Sequence, residues 1–243
     1  MIKNVLTVLL VSISLIFSSG MISYAQDFQK GMRAYQSGDF LTALKEWTVV
    51  AEQGAADAQF NLGLMYEIGQ GVVQDYKEAM RWFRKAAEQG EAGAQYNLGV
   101  MYARGRGVVQ DYKEAMNWYR KAAEQGNAGA QYNLALMYND GQGVVQDNKE
   151  AANWYRKVAE QGHFVKHGFV ADAQSELAWR YLKGQGVVQD DVYAHMWWNI
   201  AASNGAENAA KNRGIVAKRM TSAQIAEAQK LARKCVAKEY KGC

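Results

Sequence analysis

Apolar positions between residues 55 and 90 fall into two helical rhythms separated by a short break. Ala58, Leu62, Gly63 and Tyr66 form the stripe of one helix, and Ala79, Trp82, Phe83 and Ala86 form that of a second. The small residues Ala58, Gly63, Ala79 and Ala86 let helix backbones approach closely, while Tyr66 and Trp82 fill the remaining volume. Neither short helix can bury its stripe alone. The same pattern returns without gaps at 91–126 and 127–162, a period of 36 marked by the shared tracts "AEQG", "MY" and "GVVQD". A fourth copy at 170–205 follows a seven-residue insertion, "HFVKHGF", at 163–169. Self-similarity at this period predicts a stack of helix pairs in which each copy buries the face of the next.

The break between the two helices can be read by turn chemistry. Gly69, Gly105, Gly141 and Gly184 are placed to end the first helix in a left-handed conformation, and Gly71, Gly107, Gly143 and Gly186 permit a second change of direction. Val72 or Val73 then plugs apolar volume between helices. Asp75, Asp111, Asp147 and Asp190 are the expected N-caps of the second helices. Glu78, Glu114 and Glu150 stand three residues on, where they would complete capping boxes; Tyr193 leaves the fourth box incomplete. A phosphate-cradling glycine loop would leave the helix N-terminus open to an anion, whereas each of these loops sets an aspartate there. No cofactor is expected.

Ala58, Leu62-Gly63, Tyr66, Gly69-x-Gly71-Val72, Asp75, Ala79, Trp82, Ala86-Ala87 and Gly90 together give a pattern that resembles the Sel-one-like repeat family, relatives of the tetratricopeptide repeats. The resemblance spans 55–205 and implies an all-α, right-handed superhelical solenoid of antiparallel helix pairs, with copies at 55–90, 91–126, 127–162 and 170–205. Residues 26–54 look like a shorter, tetratricopeptide-like sibling: Tyr35 stands eight residues before Ala43, where Tyr66 stands thirteen before Ala79, and the turn falls at Gly38-Asp39. That segment is expected to cap the N-terminal end. After Gly205 the glycine loop disappears, but Thr221 with Gln224 forms a capping-box pattern and Ile225, Ala228, Leu231 and Ala232 a helical stripe, so 206–243 reads as a basic C-terminal helical cap.

Residues 1–25 follow a different plan. One charge at Lys3, the apolar run Val5 to Phe17 and the small residues of Ser23-Tyr24-Ala25 give the layout of a cleaved signal peptide ending at Ala25. The apolar run is short for a retained membrane anchor, so no membrane insertion is expected after cleavage, and the destination is periplasmic or secreted. In that setting Cys235 and Cys243 are expected to close a small disulfide loop, the alternative being two free thiols. Charge is uneven: 206–243 carries nine basic residues against three acidic ones, a net +6, while 26–205 is −3. A solvated helix face is the simpler meaning, and contact of the cap with an anionic surface is the functional one.

Candidate chemistry is sparse. His163 and His167 are four apart, as in helical metal-binding pairs, and His195 is a conceivable third ligand; the favoured reading is instead that Phe164 and Phe169 pack the insertion against the next repeat, with no metal. No serine stands in a recurrent constellation with histidine and acid, and nucleic acid is not an expected partner. Some cysteine-rich relatives in the resembled family are linked to β-lactam binding or hydrolysis, which implies an alternative, β-lactamase-like or penicillin-binding activity, but the cysteine pairs that staple those repeats are absent. The expected function is a non-catalytic interaction scaffold. If the stack follows tetratricopeptide geometry, the first helices line a concave groove for a peptide or protein partner. Its candidate lining is Phe60, Tyr96 and Tyr132, with Leu64, Val100, Leu136 and Trp179 one turn on. Asn61, Asn97 and Asn133 recur beside them, placed either to bond a peptide backbone or to bond within the repeat.

Overall fold

The computed structural model describes residues 26–162 and 168–243; the expected signal segment, Phe164, His163 and His167 lie outside the described residues. Every regular element among the described residues is helical. Helix α1 covers 26–36. It is followed by α2 (Phe40–Glu52), α3 (Ala56–Ile68), α4 (Tyr76–Glu88), α5 (Ala92–Arg104), α6 (Tyr112–Glu124), α7 (Ala128–Asp140), α8 (Asn148–Ala159), α9 (Phe169–Lys183), α10 (Asp191–Ser203), α11 (Ala209–Ala217) and α12 (Ser222–Ala237). The helices form an all-α repeat solenoid divided into two compact units, one ending at Val109 and the other beginning at Gln110. In the first unit α2, α3, α4 and α5 pack in succession; in the second α6 to α10 do so, and α11 and α12 both close on α10.

The stripes read from the sequence are buried except at Tyr66, which is half-buried. Ala58, Leu62, Ala79, Phe83 and Ala86 are fully enclosed, and Trp82 nearly so. Gly63 is where α3 admits α4: a Cβ there would lie 2.5 Å from the Phe83 ring. Met65, Met101 and Met137 are equally buried and complete the first-helix core on a side the four-residue stripe did not include. At the N-terminal end Tyr35 and Phe28 pack their rings on Trp47, and Asp39 caps α2 by accepting from the Thr42 amide. At the other end Ala228, Ala232, Cys235 and Tyr240 join Trp197, Trp198 and Ile200 in one core. The Thr221–Gln224 capping box is formed in both directions, and Cys235 and Cys243 are disulfide-bonded with Cα atoms 5.4 Å apart. Closing so short a loop contributes about 2–3 kcal/mol on the chain-entropy account.

The interhelix loops hold their shape by contact with the preceding repeat. Gly141 has φ 70° and donates its N–H to the Met137 carbonyl, ending α7 in the left-handed conformation. Gly143 also has φ 70°, and a Cβ on it would lie 2.7 Å from the Tyr112 carbonyl group at the start of α6. The second glycine therefore serves backbone-to-backbone contact as well as direction. Of the paired valines, the first is half-buried, whereas Val73, Val109, Val145 and Val188 are 85–88% exposed. The aspartates cap as expected: Asp75 Oδ1 accepts from the amides of Lys77 and Glu78, and Asp147 and Asp190 repeat this. The reciprocal half of the expected capping box is not formed. The Asp75 and Asp147 N–H groups instead donate across the loop to the carbonyls of Tyr66 and Tyr138, and Glu78 turns to Arg81.

A buried polar column joins successive repeats. Gln59, Gln95, Gln131 and Gln174 are at most 6% exposed. Their Nε2 groups donate to the carbonyls of Ala51, Ala87, Ala123 and Ala159, in the last turn of the preceding repeat's second helix, at 2.9, 3.1, 3.0 and 3.1 Å. A last-turn carbonyl lacks the usual partner four residues on; those of Ala51, Ala87 and Ala123 also accept from the N–H groups of Gly54, Gly90 and Gly126 just past the helix. The Oε1 atoms of Gln59, Gln131 and Gln174 accept in turn from Gln89, Gln161 and Asn204, just past the second helix of the same repeat, each at 2.8 Å. Each such glutamine thus ties three helix ends together. A second tie lies nearer the surface, where Arg84, Arg120 and Arg156 donate to the hydroxyls of Tyr102, Tyr138 and Tyr181 in the following repeat.

Replacing Gln174 with leucine leaves the Ala159 carbonyl and the Asn204 amide unpaired in a closed interface. The expected loss is about 2–4 kcal/mol, read as a fall of about 5–15 °C in Tm by calorimetry. Gly143→Ala meets both a left-handed φ and the Tyr112 backbone, so it destabilises by more than about 1 kcal/mol, whereas Val145→Ala in the same loop moves the midpoint by less than about 0.5 kcal/mol.

Candidate functional site

The side chains proposed to line a groove stand on the first helices of the repeats: α3 and α5 in the first unit, α7 and α9 in the second. The first helices of neighbouring repeats approach each other directly within each unit. Phe60, Leu64, Tyr96, Val100, Tyr132, Leu136 and Trp179 are all half-buried, neither sealed in the core nor free in solvent. The Phe60 ring centroid lies 5.9 Å from that of Phe83, and its edge rests on Gly93 of α5. Tyr132 occupies the matching place in the second unit, 5.6 Å from both Tyr155 and Phe169. Trp179 meets Trp198 edge-on at 5.1 Å. Phe60 and Tyr132 thus reach from one copy to the next, while Trp179 packs within its own repeat, and all three stay partly exposed.

The asparagines distinguish this face from an ordinary core. Asn61, Asn97 and Asn133 are half-buried, and none makes a side-chain hydrogen bond among the described residues. Of their two readings, bonding within the repeat is not what the structure contains. The contrast with the glutamine two positions earlier is sharp: the Gln59 amide is buried and both donates and accepts, while the half-buried asparagine amide does neither among the described residues.

The fourth repeat departs from the column. Where the other copies have asparagine it has Glu176, and where they have Met65, Met101 and Met137 it has Arg180, which is 3% exposed. The Arg180 guanidinium donates to Asn139 Oδ1 at 2.5 Å and to the Asn148 carbonyl at 3.3 Å, with Tyr155 beneath it at 5.0 Å. No carboxylate lies within ion-pair distance of it among the described residues, and its Nε is unpaired. Burial raises the Glu176 carboxyl above its ordinary value, against the opposing pull of Arg180, and also raises Asp172 one turn earlier. The Tyr132 hydroxyl is pushed up to about 12 by burial first and by the Glu176 and Asp172 charges second. The break in the repeating column was visible in the sequence, but its chemistry requires the burial that only the fold supplies.

The remaining candidates fall elsewhere. Asp75 and its equivalents occupy the amides a phosphate would need. His195 is buried in α10, where desolvation and the Arg213 charge lower its pKa; His163 and His167 lie outside the described residues. Among the described residues no group of three or more His, Cys, Asp or Glu is arranged to hold a metal ion. No helix among them is long and apolar enough to cross a membrane.

The Sel1 repeat profile matches residues 56–91, 92–127, 128–163 and 171–205, one residue out of phase with the copies counted above except at the shared end of the fourth. The chain belongs to the Sel1 repeat family. Among solved structures, a Sel1 repeat protein from Oxalobacter formigenes is 37% identical, with 78% of this chain and 74% of that one aligned at a TM-score of 0.68. A second, c5321, is a protective antigen present in uropathogenic Escherichia coli strains and displays an SLR fold; it is 33% identical, covers 93% of this chain and superposes with a TM-score of 0.76. This Sel1 repeat chain spans about half, 49%, of the length of c5321. No curated protein matches it.

Because burial raises the folded-state pKa of Glu176 above the ordinary carboxylate value, the folded protein holds that proton more tightly than the unfolded chain. Stability from this group therefore falls as pH rises through the interval from the unfolded to the folded pKa. Glu176→Gln is expected to raise the urea midpoint at pH 7, and the gain should vanish below the ordinary carboxylate range. A midpoint difference independent of pH would show that the carboxyl carries no desolvation cost.

Proposed function

We propose that this Sel1 repeat protein is a non-catalytic scaffold of the periplasm or cell exterior that binds an extended peptide or protein segment on the first-helix face of the repeats within a unit. The observation that carries this reading is that Asn61 and Asn97 in the first unit and Asn133 in the second are half-buried with no side-chain hydrogen bond among the described residues, each next to a half-buried ring at Phe60, Tyr96 or Tyr132. An extended backbone offers alternating N–H and C=O groups, which an amide side chain matches with one donor and one acceptor; apolar side chains of the same segment fit the aromatic and aliphatic positions on either side. The Sel1 repeat architecture supports an interaction scaffold in general, and these residues name the face. Export is supported by the Cys235–Cys243 disulfide, by the leader-like residues 1–25, and by kinship with a protein described as a protective antigen.

The test is selection from a random-peptide display library on the purified protein, followed by binding measurements on an Asn61→Ala, Asn97→Ala, Asn133→Ala variant. These side chains support no internal hydrogen bond, so the fold should melt unchanged while selected peptides bind about tenfold or more weakly. Peptides that bind the variant as tightly as the wild type would place the binding surface elsewhere.

A further inference from the structure

The C-terminal cap has two faces, and only the inner one is used by the fold. Ala228, Ala232 and Cys235 of α12 are buried against α10. The outer face of α12 presents Lys230, Arg233 and Lys234, and Lys238 follows directly at its C-terminal end, all exposed. Lys230 lies 3.7 Å from Glu227, but Arg233, Lys234 and Lys238 have no acidic partner among the described residues, and neither do Lys211 and Lys218 of the α11 region. Apolar side chains are exposed among these cations: Val236 at 46% and Ile215 at 54%. Beside Val236 a cleft of about 330 Å³ opens between α10 and α12, with Ile200, Ala232, Val236 and Ala237 as its apolar lining and Asn199, Ser203 and Arg233 as its polar lining.

We infer that this outer face docks on an anionic lipid surface, its lysines and Arg233 meeting headgroup phosphates while Val236 and the cleft beside it receive the apolar part of a lipid. This binding site is separate from the peptide-binding face and does not depend on it. The charge distribution favours one orientation, since the cap carries +6 and residues 26–205 carry −3. The cation type separates a lipid surface from an acidic protein. Of the three arginines in 206–243, Arg213 is engaged by Asn199 and Arg219 by Asp191, which leaves mainly lysines; these suit diffuse attraction to a charged surface more than paired recognition of carboxylates. Nucleic acid is disfavoured by the lack of a stacking platform: the single aromatic residue of the cap, Tyr240, is buried. Exposed apolar groups within a basic helical face are the combination that lipid headgroups above acyl chains accommodate.

The test is vesicle co-sedimentation of the purified chain with phosphatidylglycerol–phosphatidylethanolamine vesicles and with neutral phosphatidylcholine vesicles. Residues 1–25, where retained, are common to every arm, so the readout is the ratio of anionic to neutral binding. That ratio should be high at low salt and fall as salt rises. Arg233→Gln, Lys234→Gln, Lys238→Gln should lower it by roughly 100-fold, from about fivefold per cation near an anionic surface. Val236→Ser, which leaves the charge unchanged, should weaken binding to the anionic vesicles several-fold. All four positions are on the surface, and thermal melts verify that each variant is folded. Equal binding to both vesicle types, an unchanged ratio in the triple variant, or unchanged anionic-vesicle binding by Val236→Ser would each overturn the assignment.

Discussion

The fold depends on a buried amide. Stripes of alanine, glycine and leucine bring helix pairs together, but such surfaces are smooth, and apolar contact alone does not fix how far one pair slides along the next. The glutamine at position 59 and its equivalents at 95, 131 and 174 remove that freedom. Each donates to a last-turn carbonyl of the preceding repeat, and those at 59, 131 and 174 accept from a residue just past the second helix of their own. A slip along the helix axis would leave two polar groups unpaired in a closed interface, at a cost of about 1–3 kcal/mol for each. The second loop glycine enforces the same register from the opposite end: its backbone lies against the first residue of the preceding repeat's second helix, at a distance that excludes any Cβ.

Much of this architecture is readable from the chain because repetition multiplies weak signals. A single Gly-x-Gly followed by aspartate is a turn among many; four at matching positions between two amphipathic stretches specify a helix pair and its joint. What escaped the sequence did so for physical reasons. Gln59 is polar and sits beside a stripe, so by composition it belongs to the surface, and only the three-way meeting of helix ends makes it a core residue. Val72 and Val73 are chemically identical, and nothing short of the loop path says which one turns inward. The capping box failed at Glu78 because a carbonyl in the last turn of α3, that of Tyr66, competes for the same N–H, and that partner across the loop has no local signature. The candidate lining residues on the first helices could be listed from the sequence. Their half-burial, and the unpaired state of Asn61, Asn97 and Asn133, could not be.

The two amides, two residues apart on the same helix, show how a repeat separates structure from recognition. Gln59 spends its donor and acceptor inside the stack, so a change there is felt by three helices. Asn61 spends neither, so its column is free to vary, and in the fourth repeat it does, to Glu176. The neighbouring exchange of a core methionine for Arg180 is of a different kind. A buried guanidinium held by neutral acceptors and an aromatic face costs more than a methionine would, and natural cores retain such groups mainly where they specify something that an apolar residue cannot.

The same separation governs the C-terminal end. A repeat stack must be closed by a surface that is apolar toward the last repeat and polar outward, and α12 meets the first demand with Ala228, Ala232 and Cys235. The second demand is satisfied by any polar residues, glutamine and glutamate as readily as lysine. Closure therefore accounts for a polar outer face but not for its excess of positive charge, nor for Val236 standing exposed among the cations beside an open apolar cleft. Unpaired cations in close array repel one another and lower the stability of the cap they cover, an effect that an anionic surface would reverse. Capping fixes which side of α12 faces the core; the sign of the charge on its other side is a property of what it meets.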